Sequence, residues 1–327
     1  MHLARWNGSA WSPVGSPVLN GDVHAIAYHA GKVYVGGVVT NAGGNANLDF
    51  LAEWDGTSWG PVCNSSGPAV TASVSSLQIS GSTIYIGGSF ANGAGIASAD
   101  FLLACNLATG AASSTVVKDG DLSGAVYALT ADSHGTLYIG GGFSNLMGIQ
   151  AADNIAAYSG GSWRALGSGP SAGGGPIDDF VRSLTAVGTN VYVGTDSVDI
   201  GGIAQADHVA KWNGSALSAV GSNTSGQDGW FPASGFVYGL ATYGSNVFAT
   251  GSFQNANGDP KADQIAYFDG VGWHSLGSNG AGNGPWTGYG LALATFGGKL
   301  YAGGNFTSAG GDTKAEGIAS TPLHPTN

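Results

Sequence analysis

A repeat of about 53 residues runs through the whole chain and restricts the possible folds more than any other feature of the sequence. Its clearest mark is a short apolar segment with a central aromatic residue, which usually ends in glycine. A period of this length predicts an array of similar units, each packed on its neighbours. The central aromatics, which are 51, 53, 54, 56 and 53 residues apart, are Tyr34, Tyr85, Tyr138, Tyr192, Phe248 and Tyr301.

Each unit is predicted to contain four antiparallel strands. A segment of Val-x-small-Leu type, such as 126–129, precedes the aromatic strand by about ten residues, and a third strand follows it. Turns such as Asp55-Gly56 then lead to a fourth strand, because glycine accepts the positive φ of tight hairpins. Four such strands cannot bury both faces alone, but six units stacked radially can. The sequence therefore predicts an all-β, six-bladed β-propeller that forms a single domain over residues 1–327.

The two ends of the chain are predicted to share one blade. Residues 3–6 and 11–15 look like a third and a fourth strand, whereas the C-terminal blade, 289–320, supplies a first, a second and a short third strand. The total is 25 strands, one more than six four-stranded blades need. We expect the N-terminal strands, 3–15, to pair with the C-terminal blade and close it, with the N-terminal copy of the third strand in place.

The repeat resembles a known family. An aromatic strand that ends in Gly36-Gly37, a loop, an aromatic residue in the third strand and Trp59 opening the fourth are similar to kelch repeats. The pattern also resembles the central propeller domain of galactose oxidase-like proteins, and it covers essentially all 327 residues. The resemblance implies a propeller but little chemistry, since kelch-type propellers include enzymes, carbohydrate binders and interaction scaffolds. No residues match the copper ligands of galactose oxidase.

The charge balance restricts the classes of molecule that the protein is expected to bind. The chain has 9 basic and 20 acidic residues, for a net charge of −11. No basic stripe is available to neutralise phosphates, so nucleic acid is not an expected partner. No apolar run approaches the ~20 residues of a membrane helix, and we expect a monomer that does not insert into membranes.

The composition is typical of an exported bacterial protein. Charged residues make up 9% of the chain, and glycine alone accounts for 59 residues. We expect an extracellular or cell-surface location, although the N-terminus lacks the apolar core of a signal peptide. Cys63 and Cys105 lie in successive repeats and could form a disulfide, but two cysteines in a chain of this length are not a disulfide framework.

An acidic residue stands just before the third strand in all six units. Such a carboxylate can accept backbone N–H bonds and fasten its loop. A ring of carboxylates could instead bind cations such as Ca²⁺, but six groups away from the axis are too far apart to share one ion. The structural interpretation is therefore favoured. The six residues are Asp49, Asp100, Asp153, Asp207, Asp263 and Glu316.

The second residue of the innermost strand differs in chemistry from one repeat to the next. Side chains at this position could contact a ligand at the channel, or they could pack between blades. The alternation of side chains along a strand fixes the face on which a residue lies but does not distinguish these two roles. The six residues are His24, Ser75, Tyr127, Arg182, Tyr238 and Tyr289. If the protein is an enzyme, the catalytic candidates are His24, Tyr127, Arg182, Tyr238, Tyr289 and His208, with His24 and His208 as acid–base groups.

Long loops enter three of the innermost strands. Trp230, Phe231 and Trp286 in these loops could form a stacking platform for sugar rings, or they could cap the core. Carboxylates that precede the innermost strands are candidate Ca²⁺ ligands at the channel mouth. These candidates are Asp22, Asp119, Asp121, Asp178, Asp179 and Asp228.

The leading functional prediction is a binding module that takes a carbohydrate, another small molecule or a surface partner at one mouth of the channel. No nucleophile elbow, zinc-protease motif or phosphate-binding loop occurs in the sequence. Two alternatives stay open. One is a metal-assisted hydrolase with an axial site, similar to propeller lactonases, esterases and phosphotriesterases. The other is a scaffold within a larger surface protein.

Overall fold

The regular structure of the chain is almost entirely β. The computed structural model describes residues 2–63, 67–113, 116, 121–169, 174–222, 229–231 and 235–323. These residues contain 25 strands, the number that the repeat predicts, and five 3-10 turns. No helix in the described ranges is long and apolar enough to cross a membrane.

Five four-stranded antiparallel sheets form the first five blades, each with its strands in chain order. The first comprises β3 (Val23–His29), β4 (Lys32–Gly37), β5 (Leu51–Trp54) and β6 (Trp59–Gly60). The second comprises β7 (Val74–Ser80), β8 (Thr83–Gly88), β9 (Leu102–Asn106) and β10 (Ala112–Ser113). The third comprises β11 (Val126–Ala131), β12 (Leu137–Gly141), β13 (Ile155–Ser159) and β14 (Ser162–Arg164). The fourth comprises β15 (Val181–Val187), β16 (Asn190–Thr195), β17 (Val209–Trp212) and β18 (Leu217–Ala219). The fifth comprises β19 (Val237–Tyr243), β20 (Asn246–Gly251), β21 (Ile265–Phe268) and β22 (Trp273–Ser275).

The sixth blade corrects one prediction about the chain ends. It contains β23 (Trp286–Phe296), β24 (Lys299–Ala309) and β25 (Ile318–Pro322), in that order. The C-terminal strand β25 thus takes the third place, which we had expected the N-terminal copy to take. The N-terminal strands β1 (Ala4–Trp6) and β2 (Trp11–Pro13) form a two-stranded sheet of their own. The reason is that β25 follows β24 after a short loop, so this pairing closes a much smaller loop.

The loop between the second and third strands is built in the same way in the first five blades. A residue in the left-handed conformation, Asn in four blades and Asp199 in the fourth, begins a short 3-10 turn. Asn and Asp tolerate this conformation better than other side chains. The turns are η1 (Ala42–Gly44), η2 (Gly93–Gly95), η3 (Leu146–Gly148), η4 (Ile200–Gly202) and η5 (Ala256–Gly258).

The chain divides into two compact units. The first unit contains residues 1–131, 141–149 and 158–163, and the second contains 132–140, 150–157 and 164–327. In the first unit, a disulfide joins Cys63 to Cys105, with 5.9 Å between their Cα atoms. Both sulfurs lie in an apolar cluster with Val74, Ile86 and Phe90. The sequence had left the state of these two cysteines open.

Candidate ligand-binding site

The register of the innermost strands locates the variable position of the repeat. In β3, β7, β15 and β19 the pairing shifts at the second residue, so this residue lies in a β-bulge. In β23 the corresponding shift lies between Gly290 and Ala292, so the bulged residue is Leu291 and not Tyr289. The predicted alignment was two residues out of register here because β23 begins early, at Trp286, and contains a second bulge.

A second variable position lies two residues before the bulged residue, which is just before the innermost strand in the first five blades and inside β23 in the sixth. Its carbonyl accepts the N–H of the residue after the second strand, for example Phe180 from Asp196 at 3.2 Å and Phe236 from Ser252 at 3.1 Å. Tyr289 pairs with Asn305 at the same place in the sixth blade. In the first three blades the position is small or polar, whereas in the last three it is aromatic. The six residues are Asp22, Ser73, Ala125, Phe180, Phe236 and Tyr289.

Three aromatic side chains are thus exposed at one repeat position in consecutive blades of the second unit. Phe180 is 41% exposed, Phe236 39% and Tyr289 37%. The ring of the bulged Tyr238 stacks on Phe236 with centroids 6.1 Å apart and meets the edge of Tyr289 at 5.9 Å. Such exposed aromatic surface is typical of an interaction site. We call Phe180, Phe236, Tyr238 and Tyr289 the aromatic rim.

A fixed guanidinium adjoins the aromatic rim in the fourth blade. Arg182 Nε lies 3.2 and 3.0 Å from the two carboxylate oxygens of Asp196, and Nη2 donates to Oδ2 at 2.5 Å. The Asp196 side chain is buried, and the Arg182 Cζ atom lies 5.2 Å from the centroid of Phe180. The carboxylate therefore orients the guanidinium plane and neutralises its charge, so the pair extends the stacking surface without adding net charge.

A polar cavity opens beside Tyr289 in the same unit. Its volume is about 400 Å³. Tyr289 and Trp286 line the cavity. The surroundings of the Gln264 amide favour the orientation in which its nitrogen donates to the main-chain oxygens of Asp263 and Trp286, 3.2 Å from each. The remaining polar lining includes Ser252, Gln254, Asn279 and Asn283. Side-chain amides carry both donors and acceptors, so this cavity can hydrogen-bond an uncharged polar ligand.

Five of the six repeated acids accept backbone N–H groups. Oδ1 of Asp207 accepts the N–H of Asp199 at 3.0 Å, and Oδ2 accepts that of Gly229 at 3.3 Å. Asp263 bonds to Asn255 and Gly284 in the same way. Asp49 and Asp100 accept the N–H of the left-handed asparagine of their loops, and Asp153 accepts that of Gly175. Glu316, in contrast, is exposed, in a blade whose loop is shaped by the long strand β24.

Two of the three aromatics predicted to form a stacking platform lie in the core. Phe231 is only 3% exposed and Trp286 only 6%. Phe231 packs edge-on against Phe253 and Trp273, and Trp286 stacks on Phe306, so both belong to the core. Trp230 is half-buried and packs against the same cluster as Phe231. Trp286 contributes to the candidate site only as a residue that lines the cavity beside Tyr289.

The two acid–base candidates are placed differently. His208 is 1% exposed, and its Nδ1 lies 3.3 Å from the Thr195 carbonyl oxygen. Because Asp207 uses both carboxylate oxygens on backbone N–H groups, this arrangement supports a structural histidine. His24 is exposed in the first unit, with Nδ1 3.3 Å from the Ser73 hydroxyl, and Tyr127 is half-buried in the same unit.

The carboxylates proposed as Ca²⁺ ligands lie in several environments. Asp22 is largely exposed, 3.4 Å from His2 Nδ1. Asp179 accepts the N–H of Phe180, and Asp178 beside it is exposed. Asp121 is half-buried, while Asp119 and Asp228 lie outside the described residues. Among the residues that the structure describes, no three His, Cys, Asp or Glu side chains are grouped so that they could hold a metal ion.

Sequence reasoning missed several residues of this site. It does not single out Phe180, Phe236, Asp196, Gln254 or Gln264. A comparison of the residue before each innermost strand would have found Phe180 and Phe236 but not Tyr289, because the sequence alignment of the sixth blade is two residues out of register. The amides of the cavity carry no repeat signal and come from two different loops, 252–264 and 276–285.

Comparison with solved structures supports the fold. The chain is similar to the extracellular domain of BT4673 from B. thetaiotaomicron, with a TM-score of 0.57 and 11% identity over 97% of this chain and 35% of that one. It is also similar to YCF48, solved with a D1 peptide, with a TM-score of 0.52 and 9% identity over 98% and 84%. The fold is a six-bladed β-propeller. Likeness at these identities extends to the fold alone, and this chain spans about a third of the BT4673 domain. No protein-family model and no curated protein matches it.

Proposed function

We propose that this propeller binds a carbohydrate along the aromatic rim. The observation that carries the proposal is the series Phe180, Phe236 and Tyr289, which exposes an aromatic ring at the same position of three consecutive blades. A repeated platform suits a repeated ligand, because each ring can stack on the apolar face of one sugar unit. The proposal takes the carbohydrate option of the sequence-based prediction and moves it to different residues.

The chemistry beside the rim favours a neutral sugar. A sugar presents hydroxyl groups around its apolar faces, and these both donate and accept hydrogen bonds. The cavity beside Tyr289 offers amides such as Gln254, Asn279 and Asn283, which also do both. Arg182 is neutralised by Asp196, so the rim holds no uncompensated cation that would select an anionic ligand.

We also propose that the protein is exported and that its blades are kelch-like. The disulfide between Cys63 and Cys105 supports export, because such bonds persist mainly in oxidising compartments. The low share of charged residues agrees with this location. The kelch assignment rests on the Gly-Gly strand ends and on the tryptophans that open fourth strands, such as Trp163 and Trp273.

Binding can be tested by native electrophoresis in gels that contain soluble β-glucan, xyloglucan, xylan or galactomannan. At least one polysaccharide should retard the wild-type protein. Phe236→Ala and Tyr289→Ala should each weaken this retardation about tenfold, since a stacked ring contributes about 1 kcal/mol or slightly more.

The matched controls are Phe296→Ala and Tyr28→Ala. Their side chains are 81% and 71% exposed and lie outside the aromatic rim, so both variants should bind like the wild type. Migration unaffected by all four polysaccharides would overturn the carbohydrate proposal. An equal loss in the control variants would show that binding does not use the rim.

A further inference from the structure

A recurring backbone hydrogen bond identifies one repeat position in the loop before each innermost strand. The middle residue of the 3-10 turn donates its N–H to the carbonyl oxygen at this position. Met147 donates to Asp121 at 3.0 Å in the third blade, and Asn257 donates to Trp230 at 2.6 Å in the fifth. The second and fourth blades make the same bond. Asp121 therefore stands where the fifth blade has Trp230.

In the fifth blade, the Trp230 side chain fills a place beside the tryptophan that opens the fourth strand. A Cβ atom added to Gly221 would collide with Trp230 Nε1, and one added to Gly272 would lie 3.4 Å from its Cη2. The two glycines thus leave room for the indole, which packs against the apolar cluster that contains Trp273. The Trp273 Nε1 atom itself donates to the Val220 carbonyl oxygen at 2.8 Å.

The third blade has an open cavity at the corresponding place. Its volume is about 320 Å³, and every residue that lines it belongs to the first unit. Trp163 lines it and donates from Nε1 to the Val116 carbonyl oxygen at 2.5 Å, the bond that Trp273 makes in the fifth blade. Ser162 also lines it, at the position of Gly272. The place that an indole fills in the fifth blade is therefore open in the third, where an aspartate replaces the tryptophan.

The lining of this cavity is mainly apolar and aromatic. The rings of Tyr158 and Trp163 have centroids 5.1 Å apart and are tilted by 48°. Met147 and Ile149 contribute aliphatic surface, and the Met147 thioether is well suited to contact an aromatic ring. A flat apolar ring can make offset or edge contacts with both aromatic side chains. The volume lies at the lower end of the range for small-molecule sites.

Met147 is held in an unfavourable backbone conformation. Its φ is 54°, in the left-handed region, and its side chain is 37% exposed. A bulky residue with this φ is rare, and strained residues of this kind cluster at sites that contact ligands. Neither the backbone nor the exposed apolar surface favours methionine here, so its side chain is best explained by the cavity that it lines. The other turns have smaller residues at this position: Gly43, Ala94, Gly201 and Asn257.

We propose that this cavity binds a small planar aromatic molecule of the size of an indole. The ligand takes the place that the Trp230 side chain fills in the fifth blade and packs against Tyr158, Trp163 and Met147. Apolar cavities of about this kind take up aromatic rings because the ring replaces contacts that an empty cavity lacks. The site shares no residue with the aromatic rim and does not depend on carbohydrate binding there.

Fluoroindole is a suitable probe, because fluorine NMR detects its binding directly. The wild-type protein should broaden and shift the fluorine line saturably, and unlabelled indole should reverse the effect. Asp121→Trp supplies the third blade with an indole of its own, as in the fifth, and should abolish this saturable shift and raise the melting temperature. The matched control is Val271→Trp, which adds a tryptophan where the side chain is 87% exposed and should bind like the wild type.

The fifth blade offers a positive control. Trp230→Ala should open a cavity of the same kind there and so double the amount of bound probe. An unchanged stoichiometry would contradict the equivalence of the two places.

Met147→Gly tests the site without adding a side chain. Glycine accepts the left-handed conformation, so this variant should melt at a higher temperature than the wild type. It should nevertheless bind fluoroindole about threefold more weakly, since the thioether contact with the ring is lost. A purely structural role for Met147 would change the melting temperature and leave binding unaltered.

Two results would overturn the proposal: no saturable binding by the wild type, or binding that both Asp121→Trp and Met147→Gly leave unchanged. The probe is not a sugar, so its failure would leave the polysaccharide assay and the proposed function untouched. Loss of polysaccharide binding in the rim variants would likewise leave fluoroindole binding as it is.

Discussion

Replacing Cys63 and Cys105 by alanine is expected to lower the free energy of unfolding by about 4 kcal/mol. The bond closes a segment of 42 residues, so its loss gives the unfolded chain much more freedom. Both residues are fully buried, and the alanines would also leave a small void in the cluster around Val74 and Phe90. The effect should be seen as a lower denaturant midpoint by circular dichroism.

Reductant provides the control for this prediction. It should shift the unfolding midpoint of the wild-type protein towards that of the Cys63→Ala/Cys105→Ala variant and leave the variant unchanged. An unaltered midpoint in the variant would show that the disulfide does not restrain the unfolded chain. A shift of the variant by reductant would point to an effect unrelated to the bond.

The second large effect is expected for Asp207→Ala, which should lower the free energy of unfolding by about 2–4 kcal/mol. Asp207 is 5% exposed, and its oxygens accept the N–H groups of Asp199 and Gly229. The substitution removes the acceptor of both N–H groups, and the bond to Gly229 lies in buried surroundings. Asp49→Ala is the matched comparison, because Asp49 is half-buried and accepts the N–H of Asn41. We expect Asp49→Ala to lower the free energy of unfolding by about 1 kcal/mol.

Thermal unfolding with and without Ca²⁺ separates the two interpretations of the acidic position. If the carboxylates act only as hydrogen-bond acceptors, the order of stability should be wild type, Asp49→Ala, then Asp207→Ala, with or without the ion. A bound cation would instead stabilise the wild type by mass action. Ca²⁺-dependent stabilisation that Asp207→Ala abolishes would contradict the structural role.

The sequence by itself determined the blade number, the strand order within a blade and the acidic position. The four-strand order recurs in five sheets and the acidic residue in all six repeats, so each repeat served as a comparison for the others. The role of Asp207 could be inferred because Asp is suited to accept backbone N–H bonds in turns, whichever blade surrounds it. Local chemistry of this kind depends little on the rest of the fold.

The tertiary structure alone decided what is buried and which strand pairs with which. Trp286 looks like a free loop aromatic in the sequence, yet it stacks on Phe306 in the core. Tyr289 and Leu291 exchange roles because a second bulge in β23 shifts the register, and β25 takes the third place over an equally suitable N-terminal copy. Each outcome depends on which of several distant segments packs at a given position in the fold. The alternation of side chains along a strand, with its period of two residues, does not say which segment that is.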